Sequence, residues 1–296
     1  VTNGAKQAIY NLFLVLLNDG DEVIIPAPYW LSYPQMVRLA GGKPIFVNSS
    51  VEDGFKVNIQ DLKSKLSSKT KFIIINSPNN PTGRVMSKEE LLQIAELARE
   101  HKNINILSDE IYELILKKGF NHLSLASLAN DLKERIFIVN GFAKGWAMTG
   151  WRVGYLVGQK DVIKASSALQ SQSTSNVCSF VQRGALEALK INKEFFLEIN
   201  SHYDLRREIL YEGLKNIEGL IVNPPNGAFY AFPRLPNNSI TSVEFCKKIL
   251  NDYGLVVVPG KPFGDDQCFR ISCASSKEKI LDGLSRLEKG ISNYYF

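Results

Sequence analysis

Five short polar segments hold most of the side chains in this 296-residue chain that could do chemistry. They are Asn3-Gly4-Ala5-Lys6, Pro28-Tyr29-Trp30, the NSPNNPTG run from Asn76 to Gly83 with Asn80 inside it, Ser108-Asp109-Glu110-Ile111-Tyr112, and the stretch from Asn140 to Arg152 that contains Lys144. Taken singly, each is an ordinary turn, cap or solvated lysine. Their positions are not ordinary. Four of them directly follow apolar runs that read as strands, and the fifth opens a helix. In open α/β sheets ligands gather beyond the carboxyl ends of the strands. The five segments therefore converge on one rim, and bring together an amine able to act as nucleophile or proton carrier, a carboxylate, a phenol and a guanidinium suited to anions.

The elements that must hold them are legible as periodicity. Residues 5–17 place Ala5, Ala8, Ile9, Leu12, Phe13 and Leu16 three and four apart, a helical stripe with Asn3 as its expected N-cap and Gly20 as its stop. Residues 22–25 and 44–47 read as short strands and 60–66 as a short helix. The runs 71–76 (KFIIIN), 104–107 and 135–139 (RIFIV) are apolar on both faces, which suits parallel strands covered by helices on each side. Ser87 followed by Glu90 is a capping box that opens a helix reaching residue 100. Strand and helix alternate, so this part is α/β with a mostly parallel sheet. From about residue 195 the texture changes. A long amphipathic helix over 193–217 leads to strands at 220–222, 228–232, 255–258 and 269–273, with helices near 241–252 and 276–291. The reading is a large domain over 1–200 and a smaller α+β domain over 201–296, joined by the long helix.

The order SPNNPTG, SDEIYE, GFAKGWAMTGWRVGY and FRISCASS resembles the class I, fold-type-I aminotransferases that use pyridoxal 5′-phosphate, and most of all their prokaryotic-type aspartate group. The likeness runs from residue 2 to about 290. It implies that Lys144 forms the Schiff base with the cofactor and carries the proton, that Asp109 keeps the pyridine nitrogen protonated, and that Asn80 and Tyr112 face the phenolate oxygen. A helical turn starting at Asp109 would bring Tyr112 to the same side. The phosphate is expected on Gly4, Ala5 and the helix start behind them, with Arg152 as its cation. Trp30 is expected to stack on the ring. Arg270 is expected to hold the substrate α-carboxylate, and Lys6 to lie near the distal carboxylate of a dicarboxylic substrate. Gly141 and Ala143 stand where many relatives have serines, which leaves one phosphate hydroxyl unassigned. The implied reaction moves an amino group from aspartate or glutamate to a 2-oxo acid in two half-reactions. The resemblance also implies a homodimer, with residues 173–176 near the partner's cofactor. Members of the family start well before the glycine turn, so an N-terminal segment is expected to be missing from this sequence.

The same motifs admit a lyase or a synthase on the same fold, or the effector-binding domain of a transcription regulator. Bulk properties narrow the field. Lys and Arg (35) barely exceed Asp and Glu (30) and are scattered, so no basic stripe points to nucleic acid. No apolar stretch approaches the roughly 18–20 residues that span a bilayer. Cys178, Cys246, Cys268 and Cys273 form no C-x-x-C pair and read as buried thiols of a reducing compartment, the cytoplasm. His101, His122 and His202 have no ligand spacing, so no metal is expected.

Overall fold

A computed structural model describes residues 1–296. The chain runs α1 (Ala5–Leu16), β1 (Glu22–Pro26), α2 (Ser32–Leu39), β2 (Lys43–Val47), α3 (Ile59–Ser64), β3 (Thr70–Asn76), α4 (Lys88–Glu100), β4 (Asn105–Asp109), α5 (Leu125–Leu128), β5 (Ile136–Gly141), β6 (Gly154–Val157), α6 (Lys160–Ser171) and α7 (Ser179–Ala188). It continues with α8 (Lys193–Lys215), β7 (Tyr230–Ala231), α9 (Ser242–Tyr253), β8 (Val258–Pro259), β9 (Phe269–Ser272) and α10 (Lys277–Tyr295). The first six strands form one sheet in the order β2-β1-β3-β4-β5-β6. Its pairs are parallel except β5–β6.

The alternation within β3 explains why this sheet sits between two helical layers. Phe72 and Ile74 point into a core shared with Ile9, Leu12 and Phe13 of α1. Ile73 and Ile75 point the other way, onto Leu91, Ile94 and Ala98 of α4. Both sets are buried, so every residue of the strand interior loses water and the run has to be apolar throughout. The capping box on α4 is present in both directions, Ser87 to the Glu90 backbone and Glu90 back to Ser87.

The three-stranded sheet β7-β9-β8 is antiparallel and has its own core. Leu210 and Leu214 of α8, Phe245 and Ile249 of α9, and Leu284 and Leu287 of α10 close over Phe269 and Ile271. No helix is long and apolar enough to cross a membrane.

Several local expectations shift. Gly4, not Asn3, occupies the N-cap of α1, at φ 82°; the Asn3 side chain instead reaches Gln7 and Thr174. That helix stops at Leu16, before Gly20. Only an isolated bridge, Ile221 to Arg234, forms where a strand at 220–222 is expected. After Asp109 there are tight turns closed by Glu113 N–H to Glu110 and Ile115 N–H to Tyr112, not a helix. Cys178 is exposed, whereas the other three cysteines are buried; all four are free thiols. Helices α2, α6 and α7 and the antiparallel edge strand β6 lie where the sequence reading assigned no element.

Candidate active site

A cavity of about 230 Å³ opens at the carboxyl ends of β1, β3, β4 and β5. Of the expected site residues, Ala5, Lys6, Trp30, Asn80, Asp109, Tyr112, Lys144, Arg152 and Arg270 all line it. Gly4 lies immediately behind, against Arg152.

The floor is Asp109, the last residue of β4 and only 4% exposed. Burial pushes its carboxyl up to about 6; the Tyr33 hydroxyl, donating to Oδ2 at 2.5 Å, and the Ile111 N–H, donating to Oδ1, pull the other way. Tyr33 is itself fully buried, and burial together with the neighbouring carboxylate lifts its own pKa well above the usual phenol value, so it stays a neutral donor. Asn76, at the end of β3, ties two strand ends together. Its amide donates to the Asp109 carbonyl at 3.0 Å, and its Oδ1 accepts the Asn80 N–H at 2.9 Å.

Lys144 sits in the turn after β5, held where Ala147 N–H reaches its carbonyl and Met148 N–H reaches Phe142. Its Nζ lies 5.7 Å from the Tyr112 ring and 5.5 Å from the Phe229 ring. Burial lowers its pKa, and the positive charges of Arg270 and Arg152 lower it further, against the pull of Asp109. A lysine with a depressed pKa in a cleft with a buried carboxylate is the usual make-up of a nucleophile and proton carrier.

Arg270 comes from β9, on the other sheet. Its Nη1 donates to Asn80 Oδ1 at 2.9 Å, and its guanidinium lies 4.5 Å from the Tyr230 ring and 4.9 Å from Phe263. The Tyr230 and Tyr112 hydroxyls are 3.1 Å apart. Lys6 Nζ stands over the Trp30 ring at 5.0 Å, and Trp30 meets Tyr33 edge to face.

The opposite wall is built for close approach. Gly4 is the entry to α1, and a Cβ there would fall 2.4 Å from Nη2 of Arg152. Arg152 is anchored by Nη1 to the Thr149 carbonyl. A Cβ on Gly141 would lie 2.8 Å from backbone atoms of Val153 and Gly154, so the strand pair β5–β6 leaves no room for a serine there. A hydroxyl nevertheless lines the cavity at Thr149, whose Oγ donates to the Ala143 carbonyl. Residues 173–176 form the exposed turn after α6, where Thr174 accepts from Gln7 of α1.

Sequence reading missed Tyr33 and Tyr230 as cavity residues, and gave Asn76 and Thr149, which lie within the converging segments, no role of their own. Asn76 had a signal, as a polar residue ending an apolar strand. Tyr33 and Tyr230 had none, because aromatics on a helix start or a strand usually mean core. It also missed that His122, Glu110 and Glu113 meet, with ligating atoms within 4.8 Å of one another. Internal hydrogen bonds occupy this cluster: Ser108, Ser124 and His122 on Glu110, and Asn140 on Glu113.

The arrangement agrees with what the chain resembles across its length. Residues 1–287 match the family model for aminotransferase class I and II. A probable aspartate/prephenate aminotransferase of Rickettsia bellii is 44% identical over 98% of this chain and 75% of its own. Among solved structures, the aspartate aminotransferase from Thermus thermophilus with maleate is 41% identical, with a TM-score of 0.92 over 98% of this chain and 75% of that one. The aromatic aminotransferase from Pyrococcus horikoshii is 38% identical, with a TM-score of 0.94 over 99% of this chain and 79% of that one. A fold of this kind, with a buried carboxylate, a lysine and an arginine from a second sheet around one cleft, carries the same message as these likenesses: the chain belongs to the class I and II aminotransferases.

Proposed function

We propose that this aminotransferase, which moves an amino group between an amino acid and a 2-oxo acid, takes aspartate or glutamate as donor and uses pyridoxal 5′-phosphate held in the 230 Å³ cavity. The donor set fits that group. A buried carboxylate, Asp109, meets the requirement of a ring nitrogen that must stay protonated. Gly4 and Arg152 form a close cradle, which a Cβ on Gly4 would fill, at the start of α1, where an anion is favoured. Thr149 is our candidate for the hydroxyl that Gly141 and Ala143 lack. Asn80 and Tyr112 present an amide and a phenol to the space between. When bound, the cofactor supplies an aldehyde and an electron-accepting ring.

The chain's own residues do the rest. Arg270 takes the α-carboxylate with its guanidinium fork, and Asn80 keeps that fork turned inward. Lys144 Nζ, deprotonated more readily than a free lysine, removes the proton from the Cα of the amino donor and, in the second half-reaction, delivers one to the Cα of the incoming 2-oxo acid. Trp30 flanks the ring position, and Lys6 above it offers a cation to a second carboxylate. The observation that carries the proposal is the placing of Lys144, Asp109 and Arg270 around one cleft, with two of the three nearly or partly withdrawn from water.

We further propose a division into units of 1–200 and 201–296, a homodimer and a cytoplasmic setting. Trp151, Phe180, Leu186 and Leu189 are 47%, 71%, 52% and 60% exposed, an apolar surface of the kind that partners cover. Four free thiols suit a reducing compartment. A turnover assay offering aspartate, glutamate and phenylalanine against 2-oxoglutarate tests the substrate assignment. Efficient transfer from the two acidic donors is expected, with Lys6→Ala raising their KM selectively; equal use of phenylalanine, or no effect of Lys6→Ala, rejects it.

A further inference from the structure

The strongest unexplained feature lies behind the cavity wall. Arg207, on α8, is 2% exposed, and its Nε is buried without a partner. A buried guanidinium with an idle donor is unfavourable unless its other bonds compensate. Those bonds go to backbone and a single carboxylate: Nη1 donates to the Ala228 carbonyl at 2.6 Å, and Nη2 to Asp204 Oδ1 at 2.6 Å.

Asn200, Asp204 and Arg207 lie on one face of α8, four and three residues apart. Asn200 donates to the Leu114 carbonyl and accepts the Leu116 N–H; Asp204 accepts the Lys118 N–H. These bonds fix the loop that follows Tyr112. Ala228 is fully buried in the left-handed region, at φ 51°, which a non-glycine residue adopts only when its surroundings hold it. Its N–H goes to the Ile115 carbonyl, and its carbonyl goes to Arg207. The next two residues are Phe229, whose ring faces Lys144, and Tyr230, whose ring lies under Arg270 and whose hydroxyl meets Tyr112.

We propose that Arg207 is a positioning residue: with Asn200 and Asp204 it clips the loop behind Tyr112 and the entry to β7 together, and so sets the aromatic wall that faces Lys144 and Arg270. It touches neither substrate nor cofactor. The inference rests on the roles proposed above for Tyr112, Lys144 and Arg270, and it assigns the wall a dedicated support.

Hydrogen exchange followed by mass spectrometry on the full chain without cofactor tests the clip directly, on Arg207→Met and on Asn200→Ala. In both variants, exchange in residues 112–118 and 226–230 is expected to quicken by about tenfold or more while β3 stays protected. Steady-state kinetics of the same variants are expected to show KM for the amino donor raised about fivefold or more, with kcat within about twofold. A uniform rise in exchange along the chain marks a merely structural arginine and overturns the proposal. So does unchanged exchange in both segments, or altered exchange with unaltered KM. If Arg207→Met does not fold, Asn200→Ala decides by the same criteria, because it releases the loop without removing a buried charge. If the unsubstituted chain transfers no amino group, the functional reading fails, and the exchange pattern alone decides the clip.

Discussion

The two sheets reach the same cleft by different means. On the six-stranded sheet, Asp109 and Asn76 are themselves the last residues of parallel strands, and Lys144 follows β5 by three residues. Ladder hydrogen bonds between largely buried strands fix the backbones of Asn76 and Asp109, and turn bonds fix that of Lys144. On the three-stranded sheet, Tyr230 and Arg270 stand on strands of two and four residues, and their orientation depends on side-chain bonds to Asn80, Tyr112 and the α8 face. On the roles proposed above, the groups of proton transfer sit on the rigid side, and the arginine that would greet the substrate sits on the side of shorter strands. Such a division suits a cleft that closes on its ligand.

Substitutions on the two sides should therefore fail in different ways. Lys144→Ala removes the only lysine amine that lies between the two aromatic rings, and kcat is expected to fall by about 10⁴-fold or more. Borohydride treatment followed by peptide mass mapping should no longer attach pyridoxal phosphate to the chain; retention of the label at the same yield removes Lys144 from its role. Arg270→Leu, on the other sheet, should act mainly through binding. A fall in kcat/KM for aspartate of about 10²–10³-fold is expected, because one partner of a charged contact is lost while the carboxylate is still brought in. A large fall in kcat with unchanged KM would place Arg270 among the chemical groups and dissolve the contrast.

The rigid side also carries a penalty that can be measured without any ligand. Asp109 titrates near 6 in the fold and near 3.8 when free, so between those values the folded chain binds more protons than the unfolded one. Stability from this group is therefore greatest below about pH 4 and falls as pH rises through 6. Asp109→Asn removes the titration; its amide oxygen can still accept from Tyr33, while the Ile111 N–H loses its acceptor. In urea unfolding of the cofactor-free protein, the stability of the variant relative to the parent should rise by about 3 kcal/mol between pH 4 and pH 8. A pH-independent difference would mean that burial of Asp109 is not the cause. Tyr230, whose pKa is likewise raised chiefly by burial, should contribute no slope in that range.

The contrast also accounts for what could be read in advance. Strands β3, β4 and β5 announce themselves because double-sided burial demands unbroken apolar runs, and the polar residues that follow them then stand out. Lys144, Asp109 and Asn80 were visible for that reason. Arg270 was visible only through resemblance, since a four-residue strand bounded by Cys268 and Cys273 has too short a pattern to locate a site. Tyr33 and Tyr230 were hidden because a phenol that donates to a buried carboxylate and one that packs in a core have the same sequence signature. Arg207 was hidden among the nine charged residues of the amphipathic α8, where only its burial and its bond to the Ala228 carbonyl mark it. Cys178 was misjudged because nothing in its spacing distinguishes an exposed N-cap from a core thiol.

The smallest effects test whether the two regions are also two folding units. Each contains one helix opened by a complete capping box: Ser87 with Glu90 on α4, and Thr241 with Glu244 on α9. Both lie away from the cavity residues, so neither Ser87→Ala nor Thr241→Ala should change kcat or KM beyond about twofold. Each should lower stability by about 1 kcal/mol, the usual loss when a capping side chain is removed. Because the two substitutions remove the same kind of interaction, any difference in how they act belongs to the regions. If residues 1–200 and 201–296 unfold separately, calorimetry should resolve two transitions, with Ser87→Ala lowering one and Thr241→Ala the other. If both substitutions lower a single transition by similar amounts, the contacts between the sheets, Arg270 to Asn80 and Arg234 to Glu52 among them, weld the chain into one cooperative unit, and the division at residue 200 describes architecture but not stability.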